Sequence, residues 1–576
     1  MGNESRNYWQ RLTRERATRR RFLGGTAAGA AGLTGFALVG CGDDEGDQER
    51  GSGDGQESQA TQPATGPRSG GSLRRQTNYG GYLNLDPHVE NGGKGREYGT
   101  FYQGLVRYDP PTYDIVPLLA ESWEQPSDVE LIFHLQPGVK WHDRPPANGR
   151  ELTADDVVFS FERMRTDSPE FFAKDFFPTV ERLEAPDQAT ISVTLNEPDA
   201  DILSRFAGDG IVILAPEVVE QAGEFATAET AVGTGAFLVE SRQSEVGMRL
   251  VRNPDYWRAD SPYLDAIDLH FFSNNPADER GWAAFLAGEL DMAAAPGTEA
   301  QGYIAEQGSG YEPLWFEDTA GFFLVPNVRV EPFNDPRVTK ALRLLVDHEE
   351  FKTAWAEVWF GRGSHASYFP SSLRSWDFEE DEYATFLEWK QSKDEAVQEA
   401  VALLGAAGFT GDSPLQAEIL CTAGSYGQGG AELLNAQWAR LGQGVVASAI
   451  RAVDSATYQD VRSSSEFQYG FISNGAAFNG PGFWLDEVYR SDTRKNYWGY
   501  SDPELDRMIS GQRTLYDSEE RQSTIKDILR HMIDNHPGVM VTARGILNVR
   551  QPQLRDVAAE WHMFGPQYDE VWLDRS

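Results

Sequence analysis

Apolar and polar positions alternate with period two at Leu131–Gln136 and Ile191–Leu195, the pattern of strands that bury one face. Two short apolar runs, Val212–Leu214 and Gly321–Val325, predict strands buried more deeply. Elsewhere the spacing changes to three and four. After Thr153-Ala-Asp-Asp156, a capping-box start, Val157, Phe161 and Met164 share one helical face. Asp335-Pro336 supplies an N-cap with proline at the first helical position, and Val338, Ala341, Leu342 and Leu345 follow on one side. Residues 394–407 predict a helix stopped by Gly408, and residues 517–535 another with Ile525, Ile528, Leu529 and Met532 inward. Strands and helices mixed in this irregular order indicate an α/β or α+β fold. A chain of 576 residues exceeds one ordinary core, so more than one packed unit is expected.

The first forty residues follow none of these periods. Thr18-Arg19-Arg20-Arg21-Phe22-Leu23 is a twin-arginine pattern, a Gly/Ala-rich apolar stretch runs to Gly40, and Leu38-Val39-Gly40-Cys41 has the form of a lipoprotein cleavage site. The glycines make this stretch a poor membrane span. Residues 1–41 therefore read as a twin-arginine lipoprotein signal peptide with Cys41 as the lipidated residue. Residues 42–71, rich in Gly, Ser, Asp, Glu and Gln, hold too little apolar surface to form a core and predict a disordered tether.

The leader carries seven arginines against two glutamates, so its removal takes the formal charge from −38 to −43. Such acidity argues against nucleic acid as a partner. Of two cysteines, Cys41 belongs to the leader. Cys421 is left alone, so the mature chain forms no internal disulfide and no cysteine-based metal site. The nine histidines form no His-Glu-x-x-His, and no Gly-x-Ser-x-Gly elbow occurs. Gly361-Arg-Gly363 follows a helix rather than a strand, and His142-Asp143 falls in a turn, so neither carries chemistry. Nothing here marks an enzyme, a cofactor or a metal centre.

Ordered short motifs carry a resemblance. They are Leu85-Asp86-Pro87-His88, Tyr102-Gln-Gly-Leu105, Leu119-Ala-Glu-Ser-Trp123, Phe133 to Asp143, Leu152-Thr-Ala-Asp-Asp-Val-Val-Phe159, Val232-Gly-Thr-Gly235, Arg252-Asn-Pro-Asp-Tyr-Trp257, Ala287 to Asp291, Pro332 to Val338 and Tyr500 to Asp506. Together they resemble family 5 of the extracellular solute-binding proteins, the peptide, nickel and opine group of ABC importers.

The resemblance implies an α/β, two-lobed periplasmic-binding-protein type II (Venus-flytrap) fold. It places lobe I at 72–318 with an inserted subdomain at 101–200, lobe II at 319–544, and a return to lobe I at 545–576. It implies a monomer that closes on a small solute and hands it to an ABC permease and its ATPase subunits; a membrane sensor is the alternative recipient. The cleft residues it implies are Tyr79, Gly81 and Tyr82 from lobe I, and Asn474, Ala477, Phe478, Trp484 and Trp498 from lobe II. One departure stands out. Peptide binders of the family carry an aspartate for the peptide's α-ammonium where Ala477 stands here. A desolvated ammonium without a carboxylate is costly, so free-amine peptides are disfavoured.

Overall fold

A computed structural model describes residues 66–574, apart from the stretches 79–84, 90–96, 110–113, 167–170, 273–279, 296–301, 307–310, 359–366 and 558–567 and shorter gaps such as Ala477. Cys41, the leader, most of the tether, Tyr79, Gly81, Tyr82, Ala477 and Gly361–Gly363 thus lie outside the described residues.

In the first lobe, β1 (Ser72–Asn78) pairs with its neighbours in parallel, and a hairpin of β2 (Val106–Tyr108) and β3 (Ile115–Pro117) follows. A separate antiparallel sheet then forms from β4 (Ala120–Ser127), β5 (Glu130–Leu135), β6 (Val180–Glu184) and β7 (Thr190–Leu195), in the order β4-β5-β7-β6. The alternation read from the sequence is the reason: Leu131, Phe133, Ile191 and Val193 face inward and are fully enclosed. The helix Ala154–Met164 lies against this sheet, started by Thr153 and Asp156 as a capping box.

The main sheet has ten strands. It gains β8 (Phe237–Gln243), β9 (Gly247–Arg252), β10 (Ala266–Phe272), β11 (Met292–Ala294) and β12 (Glu312–Pro326). Then come β13 (Leu415–Thr422), β14 (Val446–Val453), β15 (Tyr469–Gly475) and β16 (Val539–Arg550). Their order is β14-β13-β15-β12-β16-β11-β1-β10-β9-β8. A last pair, β17 (Leu554–Arg555) with β18 (Trp572–Leu573), closes the chain, and the Tyr568 hydroxyl meets the Arg75 guanidinium of β1.

The sheet's centre explains how two lobes are joined. β12 and β16 are its longest strands, at 15 and 12 residues, so β12 spans roughly 50 Å. Residues 312–317 of β12 pair with β16 beside β11, on the first-lobe side, while Ala320–Pro326 pair with β15 in the second lobe. The β12–β16 register shifts between Glu317 and Gly321 and again between Phe322 and Phe323. Such irregularities break the ladder locally and raise the twist where the strands pass from one lobe to the other. Beyond it, Phe322, Phe323, Leu324 and Val325 are buried, as in strands covered on both faces.

Three helices follow their sequence signals closely. Pro336–Leu344 is capped by Asp335, whose carboxylate accepts from the Arg337 backbone N–H. Asp394–Ala406 ends before Gly408, at φ +97°. Ser518–Asn535 is capped by Asp517 and buries Ile525, Ile528, Leu529 and Met532. One expectation fails: Val212–Leu214 is buried but forms no strand. Its backbone is satisfied instead by side chains and a loop. His88 bonds the Val212 carbonyl, the Ile213 N–H donates to the Gln103 carbonyl, and the Ser160 hydroxyl bonds both polar groups of Leu214. Cys421 is free and enclosed in β13, where burial pushes its thiol up to about 11. No helix among the described residues is long and apolar enough to cross a membrane.

Candidate functional site: where the lobes meet

β15 delivers Asn474 near its end, and the chain turns through Phe478 and Gly480 into the helix Pro481–Tyr489, with proline at the helix start. Asn474 is buried. Its Oδ1 accepts from the Gly475 backbone N–H, whereas its Nδ2 has no hydrogen-bond partner. A buried amide donor left unsatisfied is costly unless something fills the place, which suits an acceptor oxygen of a guest.

Phe478 reaches the other lobe. Its ring packs edge-on to Phe176 at 4.8 Å and to Phe483 at 4.4 Å, and its Cε1–Cδ1 edge abuts the bare Cα of Gly208. Phe176, Phe478 and Phe483 are all buried, so the three rings and Gly208 form an apolar clasp between residues more than 250 positions apart.

An ionic belt backs this clasp. Arg205 stacks over the Phe483 ring at 4.9 Å, pairs with Asp199 at 3.0 Å and lies 3.9 Å from Asp486. Asp486 pairs with Arg513 at 2.5 Å, and Arg521 pairs with Asp201 at 2.5 Å while donating from Nε to Gln512. The backbone joins in: the Ala200 N–H donates to the Arg513 carbonyl, and the Tyr516 hydroxyl bridges the Asp199 N–H and the Asp128 carbonyl. Burial is the largest single influence on the Asp199 carboxyl and raises it, but the Arg205 charge, hydrogen bonds from Thr179 and the Asp201 N–H, and the Arg513 charge together outweigh it and hold the group below the usual carboxylate range. Burial pushes Asp486 up to about 6 against Arg513, Arg205 and Arg490, which still leaves it ionised at neutral pH. Buried charges tolerate this position only because each has a partner.

Of the implied cleft residues, the structure brings Asn474 and Phe478 to one turn facing the first lobe. It places Trp484 and Trp498 in the packed interior of the second lobe. The Trp484 indole N–H donates to the Tyr368 carbonyl, and Trp498 stacks on Tyr489. Sequence reading missed Phe176, Gly208, Phe483 and the belt. No local pattern marks them, since each acquires its role from a partner far along the chain. His142, set aside from chemistry, is buried. It accepts at Nδ1 from the Gly233 N–H and bonds the Gly235 carbonyl through Nε2, so it holds a loop. Among the described residues no group of three or more His, Cys, Asp or Glu is arranged to hold a metal ion.

Two lobes sharing one sheet, linked by two long strands and meeting through a clasp, define a two-lobed fold. The chain belongs to the bacterial extracellular solute-binding proteins, family 5, whose model, described as Family 5 Middle, matches residues 114–496. It is similar to heme-binding protein A of Haemophilus influenzae, at 26% identity over 74% of this chain and 78% of that protein. It is similar to di/tripeptide-binding protein 3 of Pseudomonas aeruginosa, at 25% identity over 80% of this chain and 86% of that protein. Among solved structures, Haemophilus influenzae OppA in complex with the peptide RPPGFSPFR superposes with a TM-score of 0.72 at 20% identity, covering 88% of this chain and all of that one.

Proposed function

We propose that this chain captures a small organic solute between its lobes and delivers it to an ABC permease. The solute offers an acceptor oxygen to Asn474 and presents an uncharged, apolar end, not a free α-ammonium, to the turn at Phe478. The observation that carries this reading is the partnerless Asn474 amide beside the aromatic clasp, on a turn that faces the opposite lobe. The helix that follows already holds its carboxylates among cations: Asp486 lies against Arg513 and Arg205, and Glu487 pairs with Lys495 at 2.8 Å. Closure about β12 and β16 buries the solute, and a micromolar ligand supplies about 8 kcal/mol toward it.

The leader supports the rest of the proposal. By the twin-arginine route the protein crosses the membrane already folded, and acyl chains on Cys41 tether it to the outer face of the cytoplasmic membrane as a monomer. Mass spectrometry of solute co-purified with the full chain, calorimetry with the identified compound, and small-angle scattering with and without it test the capture. Conversion of the bound compound into product, or identical scattering in both states, overturns it. Loss of labelled-fatty-acid incorporation in Cys41→Ser tests the anchor.

A further inference from the structure

We propose that the first lobe holds a second, separate ligand site: a cavity of about 90 Å³ beside Thr100 and Arg107, built for a short-chain carboxylate. Its walls come from residues 99–108, 118, 207–208, 210–212, 236–237, 256 and 568–569, and among the described residues β13–β15 and their helices contribute none. A solute held by closure depends on Asn474 and Phe478; the donors that face this cavity belong to the first lobe, although its wall at Gly208 also backs the Phe478 ring. By the measure in which one water takes about 10–15 Å³, the space holds roughly six waters or a molecule of a few heavy atoms.

The polar side of the cavity is short of acceptors. Thr100 is 4% exposed, and its hydroxyl has no hydrogen-bond partner. The buried Nε of Arg107 has none either. Gln103 fixes the direction of a third donor. Its Oε1 accepts from the Thr234 hydroxyl and the Trp257 indole, which turns its Nε2 to donate to the Tyr256 hydroxyl. The Tyr256 oxygen is thereby an acceptor, and its own proton is left to donate. Burial pushes that phenol up to about 12, so the proton is always present at physiological pH.

Charge makes the same choice. Asp569 is the carboxylate on the wall, and Arg258 already neutralises it at 2.8 Å; Arg107 stands off at 3.6 Å. One guanidinium is therefore in excess, and an anion balances it. Ile211 and Phe237 also line the cavity and suit a short alkyl body. A carboxylate on two or three carbons meets all three demands: acceptor oxygens for Thr100, Arg107 and Tyr256, one negative charge, and a small apolar tail.

The test is calorimetry of the full chain with sodium propionate, against sodium chloride at matched ionic strength. One saturable site is expected, with no change in the scattering dimensions of the protein. Thr100→Val, which keeps the shape and removes the hydroxyl, weakens binding about tenfold, and Thr100→Ser restores it. Arg107→Gln weakens it further, while Asn474→Leu leaves it unchanged. Equal heats with propionate and chloride, or Thr100→Val binding as tightly as the parent, overturn the proposal. So does loss of propionate binding in Asn474→Leu with Thr100→Val unaffected, because that places the carboxylate between the lobes. The capture reading survives each of these failures, since it rests on the turn at Asn474 and not on this cavity.

Discussion

A single methyl group at Gly208 should pry the lobes apart. A Cβ built there lies 1.7 Å, 2.2 Å and 2.9 Å from three carbons of the Phe478 ring. Carbon atoms need about 3.5–4.0 Å, so roughly 2 Å must be found. The ring cannot swing aside cheaply, because Phe176 and Phe483 flank it at 4.8 Å and 4.4 Å. Gly208 has an ordinary φ, so alanine strains no backbone and the effect is purely steric. Overpacking of this kind costs about 1–3 kcal/mol, and charged to the closed state alone it weakens solute binding about 5- to 150-fold. Phe478→Ala makes the missing room, so Gly208→Ala should cost almost nothing further when added to it; that non-additivity is the signature of direct contact. Calorimetry with the co-purified solute reads the affinities, and small-angle scattering reads closure. If Gly208→Ala binds and closes like the parent, or if the two substitutions add independently, the clasp is not where closure is decided.

Four further outcomes follow from the same geometry. Arg521→Met strands the buried Asp201 carboxylate, which should cost about 3–5 kcal/mol in urea unfolding, while the mirror change Asp201→Asn strands Arg521 to a similar extent. Asn474→Leu should weaken solute binding about tenfold, while stability falls by only about 1 kcal/mol for the bond its Oδ1 accepts from the Gly475 N–H, because the amide donor has no partner in the protein to lose. His142 is held neutral at about 4 by burial, below the ordinary 6.5. The unfolded chain therefore binds the extra proton first, and about 3 kcal/mol of stability should be lost as pH falls from 6.5 to 4. Its NMR resonances should not titrate above pH 5. Asp377 runs the other way: burial raises it to about 6 although Tyr383 and the Phe378 N–H donate to it. Its contribution is present below pH 4 and is lost as pH rises to 6. The parent's unfolding free energy from urea titration should therefore fall by about 3 kcal/mol relative to Asp377→Asn across that window and run parallel above it.

What the sequence disclosed, and what it hid, divides along the range of the forces involved. Caps such as Thr153 with Asp156, or Asp335 with Pro336, act within one turn, so four residues suffice to announce a helix. The period-two strands β5 and β7 announced themselves because each has one buried face. Val212–Leu214 misled because burial alone makes an apolar run; whether a ladder partner or the Ser160 hydroxyl satisfies its backbone is decided 54 residues away. The candidate site sits at the far end of this scale. Asn474 and Phe478 were reached only through a resemblance in motif order. Nothing in Gly208 or Arg205 distinguishes them from other glycines and arginines until the fold sets a ring or a carboxylate opposite. The same logic explains why ligand identity resists reading from motifs. Capping and pleating repeat identically across the family and so leave a common signature. The groups that choose a solute are single residues on turns, and their meaning comes from what the opposite lobe presents. Substituting those turns, while leaving every cap and strand period intact, should therefore change what the protein binds without changing how it folds.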